Sequence, residues 1–251
     1  MTPGTPPRIL AIAGSDSSGG AGIQADIKTI TMLGGYAMTA ITAVTAQNTL
    51  GVYAVELLAP ALVAAQVDAC ADIGIDAVKI GMLGSPAIAA VVAKRVATMG
   101  VPVVFDPVMV ATSGGVLADA ATIAAFEPLM QLAALTTPNV AELAALGGPE
   151  GMAARGIAWL AKGGDARGPV VTDVLTLADG SSLRFEGSRI DTRHTHGTGC
   201  TLSSAIATFL GMGLPLPEAI DRARGFVRSA LRAAPGFGAG AGPLGHAQAR
   251  G

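Results

Sequence analysis

The sequence predicts an α/β fold: a mostly parallel central sheet with helices on both faces. Three observations carry this expectation. Short apolar runs, several rich in β-branched residues, alternate with longer helical patterns along the chain, as repeated strand–helix–strand units do. The 251 residues suffice for one large domain, 1–251, with a sizeable core. Apolar residues make up 51% and charged residues 14%, a balance that favours packed helices and strands over disorder.

Residues 1–7 read as a flexible lead, followed by a short buried strand over Arg8–Ala13 and a loop over Gly14–Gly20. Ala21–Leu33 has the apolar spacing of a helix closed by Gly34-Gly35. Met38–Ala46 is apolar and β-branched, hence a strand, and Val52–Leu58 reads as another. Pro60 opens a helix to about Asp72, Ala77–Ile80 is a strand, and Pro86–Met99 is a helix ended by Gly100. Val103–Phe105 is a buried strand that delivers Asp106 at its carboxyl end. A helix near Ala118–Gln131 precedes a short strand into Thr136-Thr137-Pro138-Asn139, and another helix starts at Val140. Gly14, Gln47, Gly81-Met82, Asp106 and Asn139 therefore gather on one rim, where open α/β sheets bind ligands. The glycine-rich Gly236–Gly242 reads as a tail that Pro243-Leu-Gly-His246 pins.

Net charge is −2 with no basic cluster, which argues against nucleic acid or an anionic membrane surface as partner. Cys70 and Cys200 are too few for a disulfide framework and form no C-x-x-C, as in a reducing cytosol. No signal-peptide core opens the chain and no 18-residue apolar span follows, so a soluble, cytoplasmic protein is expected.

Thr195-His-Gly-Thr-Gly-Cys-Thr201 runs straight into a helical pattern. Such a turn points backbone N–H groups into one concavity at the positive end of a helix dipole, with Cys200 where a thiolate is favoured. Anion stabilisation beside a proton acceptor is what phosphoryl transfer to an alcohol requires. A plain helix cap holding a buried cysteine is the competing reading. Gly14-Ser-Asp-Ser-Ser-Gly-Gly-Ala-Gly22 matches neither the Walker A loop nor the dinucleotide fingerprint. It reads as a close-approach loop opening a helix, with Asp26 one turn on. Gln47 offers a donor–acceptor edge suited to an amino-substituted heteroaromatic ring, or else bonds its own turn. Met82 and Val108 are core residues or pocket walls. Asn139-x-x-Glu142 sets an amide and a carboxylate on one helical turn, able to hold hydrated Mg²⁺ or to form an ordinary capping box. Lys162 is a phosphate-side lysine or an exposed helix end.

Together these segments resemble the ribokinase superfamily and, within it, the hydroxymethylpyrimidine kinase/phosphomethylpyrimidine kinase family of thiamine biosynthesis. The resemblance runs in order through AGSDSSGGAGIQAD, TAVTAQNT, KIGML, DPVM, TPNVAEL, THGTGCT and GAGPLGH, from about Ile9 to His246. The cysteine ending GTGC sharpens it, since sugar kinases of the superfamily generally carry aspartate there. The resemblance implies a ribokinase-like three-layer αβα fold. It implies ATP-dependent phosphorylation of 4-amino-5-hydroxymethyl-2-methylpyrimidine and then of its monophosphate, with Mg²⁺, in a homodimer. Carried over, Gln47 reads the pyrimidine edge, while Gly14, Asp26, Met82 and Val108 line its pocket. Gly197, Thr198 and Gly199 form the anion hole, and Cys200 faces the hydroxymethyl oxygen as proton acceptor or positioning group. Asn139, Asp106 and Lys162 lie on the nucleotide side, and Glu142 on the metal side through water. One segment departs from the family pattern. Met152–Ala161 reads as a helix running directly into Lys162-Gly-Gly164, with no β-branched strand before it. Either Lys162 is the family's lysine and a strand within 148–172 is missing, or the lysine is lost and Gly168–Thr172 supplies the strand; the first is favoured. A pyridoxal or pyridoxine kinase and a non-catalytic pyrimidine-binding relative disabled in that segment are the alternatives.

Overall fold

Strand β1 (Arg8–Asp16) shows how the sheet sorts its side chains between two helical layers. Leu10 and Ile12 enter one apolar cluster, while Ile9, Ala11 and Ala13 enter the other, the period of two that a strand buried on both faces must show. The structure is a computed structural model and describes residues 4–111 and 114–249. Of the lead expected to be flexible, residues 1–3 lie outside the described residues. Pro7 is buried and accepts the Tyr36 N–H at 2.8 Å, so it belongs to the fold.

Helix α1 (Gly22–Met32) follows β1, and β2 (Tyr36–Gln47) pairs parallel to it. Strand β3 (Val52–Leu57) turns back antiparallel on β2 as the sheet edge. Helix α2 (Pro60–Ala69), β4 (Ala77–Ile80), α3 (Pro86–Val96) and β5 (Val103–Phe105) continue the alternation. The helix expected near Ala118–Gln131 is two short ones, α4 (Ala120–Ala124) and α5 (Glu127–Leu132). Pro128 sits in the first turn of α5; lacking an N–H, it cannot continue the preceding helix. Then come β6 (Leu135–Thr136), α6 (Val140–Ala145) and α7 (Gly148–Ala154).

The strand expected to be missing is present. Trp159–Ala161 forms β7, parallel to β6 and antiparallel to β8 (Val170–Thr176). Helix α7 ends at Ala154, not at Ala161. Nothing β-branched marks β7; burial of Trp159 (5% exposed) and Leu160 (0%) on opposite faces holds it extended, tertiary packing overriding local propensity. Gly168–Thr172 therefore does not stand in for it. Val170 instead begins a hairpin with β9 (Ser182–Ser188). Helices α8 (Thr198–Gly211) and α9 (Leu216–Arg232) complete the chain with a 3₁₀ turn, His246–Gln248. The nine strands form one sheet in the order β3-β2-β1-β4-β5-β6-β7-β8-β9. Helices α2 and α3 cover one face; α1, α8 and α9 cover the other.

Candidate active site

A cavity of about 700 Å³ opens at the carboxyl ends of the parallel strands, where this sheet architecture places ligands. Gly14, Gln47, Met82, Asp106, Val108, Asn139, Glu142, Lys162 and the Gly197–Cys200 turn all line it.

The turn is built by Gly197, which caps α8 with φ +87°; a Cβ there would sit 1.9 Å from the Gly20 carbonyl oxygen. Only glycine fits both the backbone and the contact. No side chain caps α8. Thr198 N–H is taken by Thr195 O at 3.2 Å, whereas Gly199 and Cys200, in the first turn, have no intrahelical acceptor for theirs. The dipole end is thus presented to the cavity.

Beneath it lies a buried polar network. Lys79 and Asp26, both fully buried, pair at 2.9 Å, and Ser204 donates to Asp26 at 2.7 Å. The expectation that Asp26 lines the pocket is corrected: its carboxylate is consumed by Lys79 under the floor. A lysine in an interior strand needs such a counterion; burial opposes its charge, and Asp26 more than restores it, raising the Lys79 pKa. The state expected for Cys200 also changes. Burial pushes the thiol up to about 11; Lys79 draws it back, and Asp26 and Asp106 add to the rise. Burial outweighs the pull of Lys79, so the thiol is the favoured form at neutral pH.

On the opposite wall, Lys162 follows β7 and donates to Asp106 at 2.7 Å, with Glu142 at 3.7 Å. Its backbone N–H holds Pro138 O at 2.9 Å. Thr137 donates to Asp106 at 3.1 Å. Burial works against the Lys162 charge, but Asp106 and Glu142 outweigh it and raise its pKa. Burial raises Glu142 in turn, against the pull of Lys162. Asn139 and Glu142 form the capping box: Glu142 N–H donates to the Asn139 amide oxygen at 2.9 Å, and Asn139 N–H to Glu142 Oε2 at 2.8 Å.

At the other end, Gln47 has both backbone groups tied to the Ser17 hydroxyl, at 2.9 and 3.0 Å. Asn48, not Gln47, bonds the turn, accepting Leu50 N–H at 2.9 Å. The Gln47 amide makes no hydrogen bond among the described residues, which leaves it for a ligand. Met82 and Val108 line the same cavity as apolar walls.

Besides Lys79–Asp26, sequence reasoning missed two further pairs. Asp173 accepts Gly163 N–H at 2.8 Å and Arg224 Nε–H at 2.7 Å, bracing the loop beyond Lys162. Asp16 accepts from the His196 ring at 2.8 Å. Both join residues far apart in sequence; the only local signal was Asp16 inside the glycine-dense loop and His196 beside the turn.

Comparison with known proteins shows the family of the chain. A family model described as phosphomethylpyrimidine kinase matches residues 16–245. The chain is 46% identical over 256 residues to the hydroxymethylpyrimidine/phosphomethylpyrimidine kinase of Rhizobium meliloti, covering 94% of this chain and 96% of that one. It is 46% identical over 255 residues to the thiamine biosynthesis bifunctional protein ThiED of Geobacter sulfurreducens, covering 95% of this chain and 52% of that one. The fold superposes on an ADP complex of Bacillus subtilis pyridoxal kinase with a TM-score of 0.87 at 33% identity, over 96% of this chain and 97% of that one. With that match spanning the loop after β1 and the Gly197–Cys200 turn, the chain belongs to the phosphomethylpyrimidine kinase family.

Proposed function

We propose that this cavity transfers the γ-phosphoryl group of ATP to 4-amino-5-hydroxymethyl-2-methylpyrimidine and then to its monophosphate, a kinase of thiamine biosynthesis. The observation that carries the reading is the pairing of two ends of one cavity. An unsatisfied ring-reading amide, Gln47, lies at one end, and a cationic Lys162 beside Asp106 lies at the other, with the anion turn also lining it.

Gln47 accepts from and donates to the polar edge of the ring, and Met82 and Val108 enclose its faces. Gly14 gives the ring close approach to the backbone of β1. The hydroxymethyl oxygen then meets the Gly197–Cys200 turn. Free N–H groups of Gly199 and Cys200 stabilise charge on the transferring group, and Thr198 shapes the turn. Cys200, held as a thiol, acts first as a positioning group for the acceptor oxygen. Lys162 supplies a fixed positive charge to the ATP phosphates and Asn139 sets the α6 terminus beside them.

Asp106 and Glu142 fit a Mg²⁺ that arrives with the nucleotide. Both carboxylates are shared with Lys162, and no cluster of three His, Cys, Asp or Glu among the described residues forms a protein cage. A hydrated ion bound chiefly through phosphates suits that donor set. When bound, Mg²⁺ neutralises phosphate charge.

No helix among the described residues is long and apolar enough to cross a membrane, and both cysteines are free; a cytoplasmic enzyme acting on small molecules accords with both. We further assign a homodimer, supported by the apolar, exposed β3 edge.

Pyridoxal is the second acceptor to test, because its ring also carries a hydroxymethyl group and the fold superposes on a pyridoxal kinase. A disabled, non-catalytic relative loses its motivation, since β7 is in place. ADP release with hydroxymethylpyrimidine, its monophosphate or pyridoxal as acceptor decides among these. Turnover is expected with the first two; turnover on pyridoxal alone reverses the assignment.

A further inference from the structure

Two motifs remain without a role in this reading: the glycine-dense loop after β1 and the terminal Gly242–His246 stretch. Both close on the anion turn. On one side the Asp16 carboxylate, 1% exposed, collects donors: Ser18 N–H and Oγ–H at 2.8 Å, Ala21 N–H at 2.8 Å, Gly20 N–H at 3.0 Å and the His196 ring at 2.8 Å. Burial raises this carboxyl group, but the bonds from His196, Ser18 and Ala21 outweigh it and hold it at about 2. An ionised carboxylate only accepts, so His196 Nε2 carries the hydrogen and donates. The loop resembles a phosphate cradle, yet its N–H groups are spent on an internal anion. The packing is equally close: a Cβ on Gly20 would lie 2.4 Å from His196 Cδ2.

On the other side, Thr201 Oγ–H donates to the Gly197 carbonyl at 2.8 Å. The same Oγ lies 2.9 Å from His246 Nε2, a hydrogen bond that joins the terminal segment to the helix. His196 N–H meanwhile donates to Gly242 O at 3.1 Å, drawing the terminal segment onto the turn. Asp16, Thr201 and His246 do not line the cavity; they reach it only through the turn.

We infer that Asp16–His196 and Thr201–His246 form a two-sided clamp that positions the Gly197–Cys200 turn for phosphoryl transfer. The inference rests on the reading of that turn as the anion hole. Donors aimed at developing charge act because they are fixed beforehand, and a displacement of about 1 Å costs on the order of 100-fold in rate. Substrate recognition rests on the Gln47 side-chain amide, which makes no hydrogen bond to either arm of the clamp among the described residues.

The test compares His196→Ala and His246→Ala with His196→Gln and His246→Gln, whose side-chain N–H reaches similarly, and with Cys200→Ala. Steady-state ADP release gives kcat and KM for hydroxymethylpyrimidine, and thermal melting reports folding. Each alanine variant is expected to lose roughly 10- to 100-fold in kcat with KM for the pyrimidine nearly unchanged, and each glutamine variant to recover most of it. Wild-type kcat in the folded alanine variants overturns the clamp, as does an effect confined to KM. Failure of both alanine variants to fold assigns the contacts to stability and overturns it too. Absence of ADP release by the wild type with either pyrimidine sinks the reading of the turn itself, and the clamp with it, whereas Cys200→Ala keeps both backbone N–H groups and reports on the thiol alone, so the two failures are distinguishable.

Discussion

The Cys200 thiol sits at about 11 because burial pushes it up, Lys79 draws it back only in part, and Asp26 and Asp106 add to the rise. At pH 7 the thiol then predominates over the thiolate. If that thiolate were the working base, kcat would climb about tenfold per pH unit through pH 7–9. The positioning role predicts instead a flat profile over that range, together with a kcat loss of up to about 100-fold in Cys200→Ala and little change in KM. A pH–rate profile on wild type and variant checks both parts, and a tenfold slope would reinstate the thiolate base. His246 titrates in a different window. Burial and the charge of Lys28 lower its pKa to about 4, against about 6.5 in an unfolded chain. Between those values the unfolded chain binds the proton and the native state excludes it. Stability is therefore complete above pH 6.5 and declines as pH falls toward 4, by on the order of 3 kcal/mol. In His246→Gln that slope should vanish; urea denaturation at several pH values measures it, and an unchanged slope would mean that another group produces it.

Strands β1, β2, β4 and β5 were legible in the sequence because apolar runs of strand length are bounded by Gly, Pro or loop residues, and their carboxyl ends placed Gly14, Gln47, Met82 and Asp106 on one rim. Strand β7 was not. Ala158-Trp-Leu-Ala161 carries no β-branched residue, and its extended form is imposed by pairing with β6 and β8 and by burial on two faces. The ion pairs of the site were hidden for a related reason: Lys79–Asp26 and Asp173–Arg224 join elements that only the assembled sheet brings together. At β7 the consequence is measurable. Trp159→Ala removes a side chain buried within the core and is expected to cost about 3–5 kcal/mol in urea denaturation. On the surface helix expected from the sequence, the same change would stay within about 0.5 kcal/mol, so a small effect would contradict the strand. Lys162 follows β7 directly, so the folded fraction of Trp159→Ala should also show a raised KM for ATP.

Across the whole molecule, the proposed nucleotide and pyrimidine ends of the cavity belong to opposite halves of one sheet, and the halves end differently. Strand β9 closes one edge with a polar sequence, Ser-Leu-Arg-Phe-Glu-Gly-Ser. The other edge, β3, exposes Tyr53 (67%), Val55 (40%) and Leu57 (40%), and Leu50 of the intervening turn is exposed as well. An uncovered apolar edge strand invites pairing, and a self-complementary edge pairs with its own copy about a two-fold axis. Wild-type protein is therefore expected to sediment as a dimer, and Val55→Lys, which places a desolvated charge in the contact, as a monomer. Strand β2 carries Gln47 at its end and is tied to β3 up to Gln47–Val52. Loosening that edge should raise KM for hydroxymethylpyrimidine while KM for ATP, set by Lys162 and the α6 terminus, stays level. Sedimentation velocity with steady-state kinetics on wild type and Val55→Lys tests the assignment. A monomeric wild type at micromolar concentration removes the dimer, and a dimeric variant moves the interface away from β3.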